Sequence, residues 1–386
     1  MPDSCDDLER LLDHLAASGI GAKSAAKDEL HRAALDYGEV ERLPVVFSYP
    51  YPEAHPFQPL PNGRIYGDPA AMLYNELLSA WETGPVPNAG IGDDLPLTVR
   101  PNWGTGVVAS VLGGTIEQSG DETPWVRRLE DQAQLLEELG EIEPDLRRDG
   151  LVSRVLETYE AYRRYLDPYP ELRSAVSITL PDLQGPLDTV EQLAGESLLV
   201  SMLSDPDAAA RALQRTADIQ IACAELFSPL VREGRPGYSH QHGFLLRGNV
   251  LIRCDSAVMI SPGLYAQLIG PADEKVLAAL GGGGIHSCGR IGHAMPRMLE
   301  LPSLRCFDFG QSEMNDIDGL YRAAAERRIP LLRIHPTREE LETGSILRRF
   351  PTGVSLSFRA ASLDDAERLF DRYLTAAACP FKGGRQ

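Results

Sequence analysis

The chain has 386 residues, 43% hydrophobic and 24% charged, with a formal charge of -19, which excludes a disordered chain and disfavours nucleic acid and anionic membranes as partners. No apolar run is long enough to cross a bilayer, and the acidic start Met1-Pro-Asp-Ser-Cys-Asp-Asp7 lacks the basic-then-apolar pattern of a signal peptide. Six scattered cysteines are no disulfide framework, so the expectation is a cytoplasmic protein with reduced thiols.

In chain order, residues 6–37 read as two helices, with Leu8, Leu11, Leu12 and Leu15 at helical spacing and a break at Gly19-Ile-Gly21. They form an expected N-terminal helical extension over residues 1–40. Pro44–Ser48 is the first strand, stopped by Tyr49-Pro-Tyr-Pro52. A helix from Pro69 to Trp81 follows, then a second strand at Leu97–Arg100. An acidic helix is expected around Leu129–Leu139 and another over 151–166. The third strand is Ala175–Leu180. A long helix over 205–232 carries Asp205 or Asp207 as its N-cap. Val250–Asp255 is the fourth strand, and Ser261-Pro262 starts a helix running to Leu280. Strands five to eight fall at Gly284–His286, Leu304–Asp308, Ile329–Ile334 and Gly353–Phe358, and a closing helix spans Leu363 to Ala377.

Eight short apolar strands alternating with amphipathic helices predict a (β/α)8 TIM barrel over residues 41–386. An open doubly wound sheet shares that alternation, but no Gly-x-Gly-x-x-Gly fingerprint follows an early strand. In a barrel, chemistry-bearing groups lie just past the C-terminal strand ends. Those positions hold Asn102 and Trp103 after strand two, and Arg253 and Asp255 after strand four, with His240 and His242 upstream. His286, Cys288 and Arg290 follow strand five. Asp308, Gln311 and Glu313 follow strand six, His335 ends strand seven, and Ser357 and Arg359 end strand eight.

His286-x-Cys288 places an imidazole and a thiol at one strand end, the makings of a site for a thiophilic divalent metal such as Zn²⁺. The alternative is a buried imidazole beside a buried thiol. Asp255 and Asp308 are candidate acid/base or orienting groups, or simply caps of the following helices. Arg253, Arg359, Gln311, Asn102, Trp103 and the His240/His242 loop are candidate contacts to a small-molecule substrate, with the arginines suited to clamping an anion.

The run Ser261-Pro-Gly-Leu-Tyr265, a helix, and then Gly284-Ile-His-Ser-Cys-Gly289 resembles the uroporphyrinogen decarboxylase superfamily. More narrowly, it is similar to the branch of zinc- and corrinoid-dependent methyltransferases, over about Asn249 to Arg333. The resemblance implies zinc on His286 and Cys288, activating an acceptor thiol that attacks a methyl group on a corrinoid; a corrinoid protein is a candidate partner. It also implies a second cysteine near the eighth strand, where this chain has Ser355-Leu-Ser-Phe-Arg359 instead. Two expectations then stand: an oxygen or nitrogen ligand such as Asp308, Glu313, His240 or His293 completes the site, or the site binds metal weakly or not at all. Tyr49-Pro-Tyr-Pro-Glu-Ala-His55 offers no arginine-rich segment for the acid arms of a tetrapyrrole, which argues against tetrapyrrole decarboxylation. The leading expectation is a zinc-dependent methyltransferase. Its rivals are a decarboxylase or lyase of a small carboxylated substrate, whose activity survives chelation, and a catalytically silent binding barrel.

Overall fold

The computed structural model describes residues 4–78, 91–128, 132–241 and 243–378. Trp81, Leu129 and His242, all named from the sequence, lie outside them. Helices α1 (Ser4–Ala17) and α2 (Ile20–Leu35) open the chain. They break at Gly19, whose φ of 67° is the left-handed conformation that only glycine adopts without cost. The helix α3 (Pro69–Leu77) is capped by the Asp68 side chain on the Ala70 N–H. The helix expected from Ser261 is capped by that serine, yet it contains a π-helical turn at Tyr265–Ile269. Pro271, with no N–H to give, stands just beyond that turn and removes one bond of the regular helical ladder. Among the described residues, no helix is long and apolar enough to cross a membrane.

Each of the eight expected strands forms: β1 (Val45–Ser48), β2 (Thr98–Val99), β3 (Ser177–Ile178), β4 (Val250–Arg253), β5 (Gly283–Ser287), β6 (Leu304–Phe309), β7 (Leu331–Ile334) and β8 (Val354–Arg359). Six make one parallel sheet in the order β1-β8-β7-β6-β5-β4, so the first strand pairs with the last. The other two form a separate parallel pair, β2-β3. The eight are therefore not joined in one continuous ladder, and the interruptions have visible causes. On the free side of β1, the N–H groups of Val45 and Phe47 donate to the carboxylates of Asp94 and Asp93 at 2.9 and 2.8 Å. On the free side of β3, Ile178 exchanges both backbone hydrogen bonds with Arg232 in an antiparallel bridge. Buried backbone donors must be paired, and here side chains and a crossing segment pair them instead of a neighbouring strand.

The strands are buried on both faces, as parallel strands usually are. Val45, Phe47, Val250, Ile252, Ile285, Phe307, Leu331, Val354 and Leu356 pack into the main core. The alternate residues face a different occupant, an antiparallel hairpin of Tyr238–Gln241 and Phe244–Arg247. Its Leu245 and Leu246 pack with Leu251 of β4, Cys306 of β6, Leu332 of β7 and Leu35 of α2. Its Phe244 packs with Val46 of β1 and Leu95. Two residues further along these same strands the inner face turns polar, giving Ser48, Arg253, His286 and Asp308. Period-two geometry thus stacks a polar mouth on an apolar plug. Gly283 permits this close strand packing, since a Cβ there would sit 2.2 Å from the Val250 carbonyl oxygen.

Candidate metal centre

His286 and Asp308 are opposite one another in the β5–β6 register. His286 Nδ1 lies 2.8 Å from Asp308 Oδ2, so its N–H donates to that carboxylate. The ring's other nitrogen, Nε2, then carries the lone pair. It faces Cys288 Sγ at 3.4 Å and Asp255 Oδ1 at 3.5 Å. One ligand atom each from Asp255, His286 and Cys288 lies within 4.8 Å of the other two.

Local structure fixes each member. Asp255 follows β4, where Asp188 Oδ2 and Oδ1 accept the backbone N–H groups of Asp255 and Ser256 at 2.7 and 2.9 Å. The Asp255 Oδ1 atom in turn accepts the Cys288 N–H at 2.7 Å. The turn after β5 is held by Gln311 Oε1, which accepts the Gly289 N–H at 2.5 Å, and by Asn315 Nδ2, which donates to the Gly289 carbonyl at 2.9 Å. Gly310 has to be glycine to pass this turn, for a Cβ would meet Cys288 Sγ at 2.5 Å.

Burial would push the Asp308 carboxyl up, but Arg333 and His286 outweigh it and hold the group well below the usual carboxylate range. Arg333 makes two bonds to it, Nε to Oδ1 at 2.7 Å and Nη2 to Oδ2 at 2.5 Å. Asp308 is thus an ionised orienting group, with no proton to lend at neutral pH. Burial and the neighbouring Asp255 push the Cys288 thiol up to about 11. On its own it stays protonated, and a bound cation is what would favour the thiolate.

A cavity of about 590 Å³ opens over these groups, lined among others by Arg253, Cys288, Gln311, Arg333, His335 and Arg359. A neighbouring cavity of about 510 Å³ is lined by Glu76, Arg100, Asn102, Asp182 and again Arg253. Between them stands the Arg253–Asp182 ion pair, Nε to Oδ2 at 2.8 Å. Burial would raise Asp182, but Arg253 and Arg100 more than reverse this and lower it.

The structure therefore brings Asp255, His286, Cys288, Gln311, Arg253 and Arg359 to one mouth and puts Asn102 in the adjoining cavity. There the Asn102 Nδ2 donates to Glu76 Oε1 at 2.9 Å. Trp103 lines neither cavity; it is buried, with its indole N–H given to Thr158 Oγ1 at 3.1 Å. His240 also stands apart, on the hairpin, with Nδ1 2.6 Å from Glu233 and Nε2 3.4 Å from Asp28. His242 is outside the described residues. Of the oxygen and nitrogen groups expected to complete the donor set, none takes that place: Asp308 holds the far side of the imidazole, Glu313 pairs with His335, and His293 Nε2 bonds the Ile260 carbonyl. The carboxylate that does lie beside His286 and Cys288 is Asp255. Sequence reading missed Arg333 and Asp188. Asp188 has the ordinary signature of a helix start, and only the structure shows it reaching the next strand's turn.

Fold and site together define an α/β protein built on parallel strands, with a His-Cys-Asp donor set at one sheet end. No protein-family model matches the sequence, and no curated protein matches it. Solved structures do match in fold, among them a methyltransferase from Methanosarcina mazei, with a TM-score of 0.57 and 15% identity over 90% of this chain and 96% of that one. At that identity the similarity is one of fold.

Proposed function

We propose that the protein is a zinc-dependent methyltransferase of the uroporphyrinogen decarboxylase superfamily, moving a methyl group between a corrinoid or a methylated small molecule and a thiol acceptor. We further propose that its two parallel ladders are parts of one (β/α)8 barrel around the hairpin, and that it works in the cytoplasm. The observation that carries the reading is the donor set: a thiol, an imidazole and a carboxylate within 4.8 Å, with the imidazole aimed by a second carboxylate. Mixed sulfur, nitrogen and oxygen donors in this number suit zinc, and three protein ligands leave a position open for a substrate. The similarity in fold to a methyltransferase supports the same reading.

When bound, zinc would keep an incoming thiol deprotonated at neutral pH. The chain's own groups do the rest. Asp308 holds the His286 tautomer, and Asp255 anchors the Cys288 turn through its N–H. Arg253, Gln311 and Arg359 face the substrate in the mouth cavity, and Asn102 in the adjoining one.

The test is metal content by elemental analysis. The expected result is about one zinc per chain in the parent and little in His286→Ala or Cys288→Ala. A parent that takes up no zinc after back-addition would remove the reading. Three guanidinium groups on one cavity, Arg253, Arg333 and Arg359, favour a second one, a decarboxylase or lyase of a small carboxylated substrate; its activity would survive chelation.

A further inference from the structure

Arg333 sits on β7 in a conformation that nothing in its strand requires. Its φ is 55°, one of four positive values at non-glycine residues among those described. The β7–β8 register shifts between Leu331 and Ile334. Leu331 and Ile334 both pack in the main core, while Leu332 packs on the hairpin. Simple alternation would send Arg333 to the core side with Leu331. The bulge instead turns it onto the inner face, where it reaches Asp308. A strained bulge persists only where contacts over-determine it, and those of the Arg333 side chain include a carboxylate and an aromatic ring. Asp308 receives two charge-assisted bonds from the guanidinium. The guanidinium carbon also lies 5.6 Å from the centre of the Phe244 ring, within cation–π range.

Phe244 belongs to the hairpin that fills the space among the strands. Its neighbours Leu245 and Leu246 are clamped by β4, β6 and β7. A continuous chain of contacts therefore runs from the hairpin to Phe244, then Arg333, Asp308 and His286 Nδ1. Arg333 Nη2 also lies 3.0 Å from His286 Nδ1. A slack Arg333 would free Asp308 to rotate off Nδ1, leaving the guanidinium N–H, already within reach of that nitrogen, as the group facing it. A donor at Nδ1 favours the opposite tautomer, in which Nε2 carries the proton and cannot bind a metal.

We infer that Arg333 is a positioning residue, and that the Phe244 hairpin is the prop that holds it so that His286 presents Nε2 to the donor set. The zinc part of this rests on the functional reading above; the tautomer part does not. The Phe244 substitutions separate the aromatic face from mere filling. Phe244→Leu keeps much of the volume but has no π-face, whereas Phe244→Tyr keeps the face. In metal-free full-length protein at a pH where His286 is neutral, its ring nitrogens are followed by ¹⁵N–¹H correlation NMR. Zinc affinity is measured on the same proteins by competition with a chromophoric chelator, and thermal unfolding confirms folding.

The expected result is a single Nδ1–H tautomer in the parent and in Phe244→Tyr. Phe244→Leu should give a mixed population and bind zinc about three- to tenfold more weakly. Arg333→Gln should lose about ten- to a hundredfold. A pure Nδ1–H tautomer and parental affinity in Phe244→Leu would overturn the inference, as would failure of Phe244→Tyr to restore both. If the parent binds no zinc, the functional reading falls, and the tautomer measurement still decides the role of the prop.

Discussion

His286 and Asp308 face each other across β5 and β6, and their 2.8 Å contact decides which imidazole nitrogen is available. With the Nδ1 proton committed to a carboxylate, Nε2 of the neutral ring carries the lone pair, and what it meets is a thiol and a second carboxylate. One orienting carboxylate therefore converts three neighbouring side chains into a directed donor set. This geometry makes several outcomes predictable.

Replacing Asp308 by Asn keeps the shape but removes the carboxylate charge that receives two bonds from the part-buried Arg333 guanidinium. Removing one partner of such a pair costs about 3 kcal/mol. Urea unfolding of Asp308→Asn should show a loss of that order, and its zinc affinity should fall about ten- to a hundredfold. Parental stability in this variant would mean that Arg333 finds another partner and that Asp308 is not its anchor.

His240 makes the stability depend on alkaline pH. Burial alone would push this imidazole down, but Glu233 and Asp28 more than reverse it and raise it to about 9. A group raised in the folded state gives its stability below its unfolded value, and loses it as pH rises through the folded one. The window is therefore about pH 6.5 to 9, and the stake is about 3 kcal/mol. Unfolding free energies at pH 6 and pH 9.5 should differ by an amount of this order in the parent. That difference should shrink in His240→Gln, and equal pH slopes in the two proteins would refute the assignment.

The cavity wall can be probed through a glycine. A Cβ on Gly185 would stand 2.1 Å from the Arg253 carbonyl oxygen, a backbone atom at the end of β4. Gly185→Ala must move that strand end, costing about 1–3 kcal/mol, and should disturb the Arg253–Asp182 pair. Gly263→Ala is the control, since the nearest atom to a Cβ there is 4.0 Å away. Thermal unfolding should separate the two variants clearly. Equal melting temperatures would show that the β4 end is free to shift.

All eight strands were legible in the sequence because each is a short apolar run stopped by Pro, Gly or polar residues. His286 and Cys288 were legible as a pair because their spacing is local. What stayed hidden depended on contacts far apart in sequence. The side-chain pairing of Asp93 and Asp94 with β1 leaves no mark in periodicity, nor does the Ile178–Arg232 bridge. The hairpin holding His240 reads as a polar loop beside glycines, yet it fills the space between the strands and carries His240 into contact with α2. Arg333 was missed because period-two reasoning assigns it to the wrong face, and only the bulge corrects that. Asp255 was noticed, but not its place beside His286 and Cys288. As a residue just past a strand it looked like a helix cap or an acid. The Asp188 bonds that aim it toward Cys288 span 67 residues of sequence.

Asp255 is placed for two roles, and one substitution can separate them. Its Oδ1 accepts the Cys288 N–H and also lies among the atoms that could hold a metal ion. The side chain is about one-third exposed, so losing its charge should cost the fold little. Asp255→Asn keeps an amide oxygen for the Cys288 N–H but offers only a neutral, weaker donor to a cation. Asp255→Ala removes both functions. If Asp255 completes the donor set, the Asn variant should unfold within about 1 kcal/mol of the parent while its zinc affinity falls at least tenfold. The Ala variant should lose stability as well, since the turn at Cys288 is released. Chelator competition beside urea unfolding reads both quantities on the same preparations. An Asn variant with parental zinc affinity would reduce Asp255 to a turn anchor and leave His286 and Cys288 as the only protein ligands in this group.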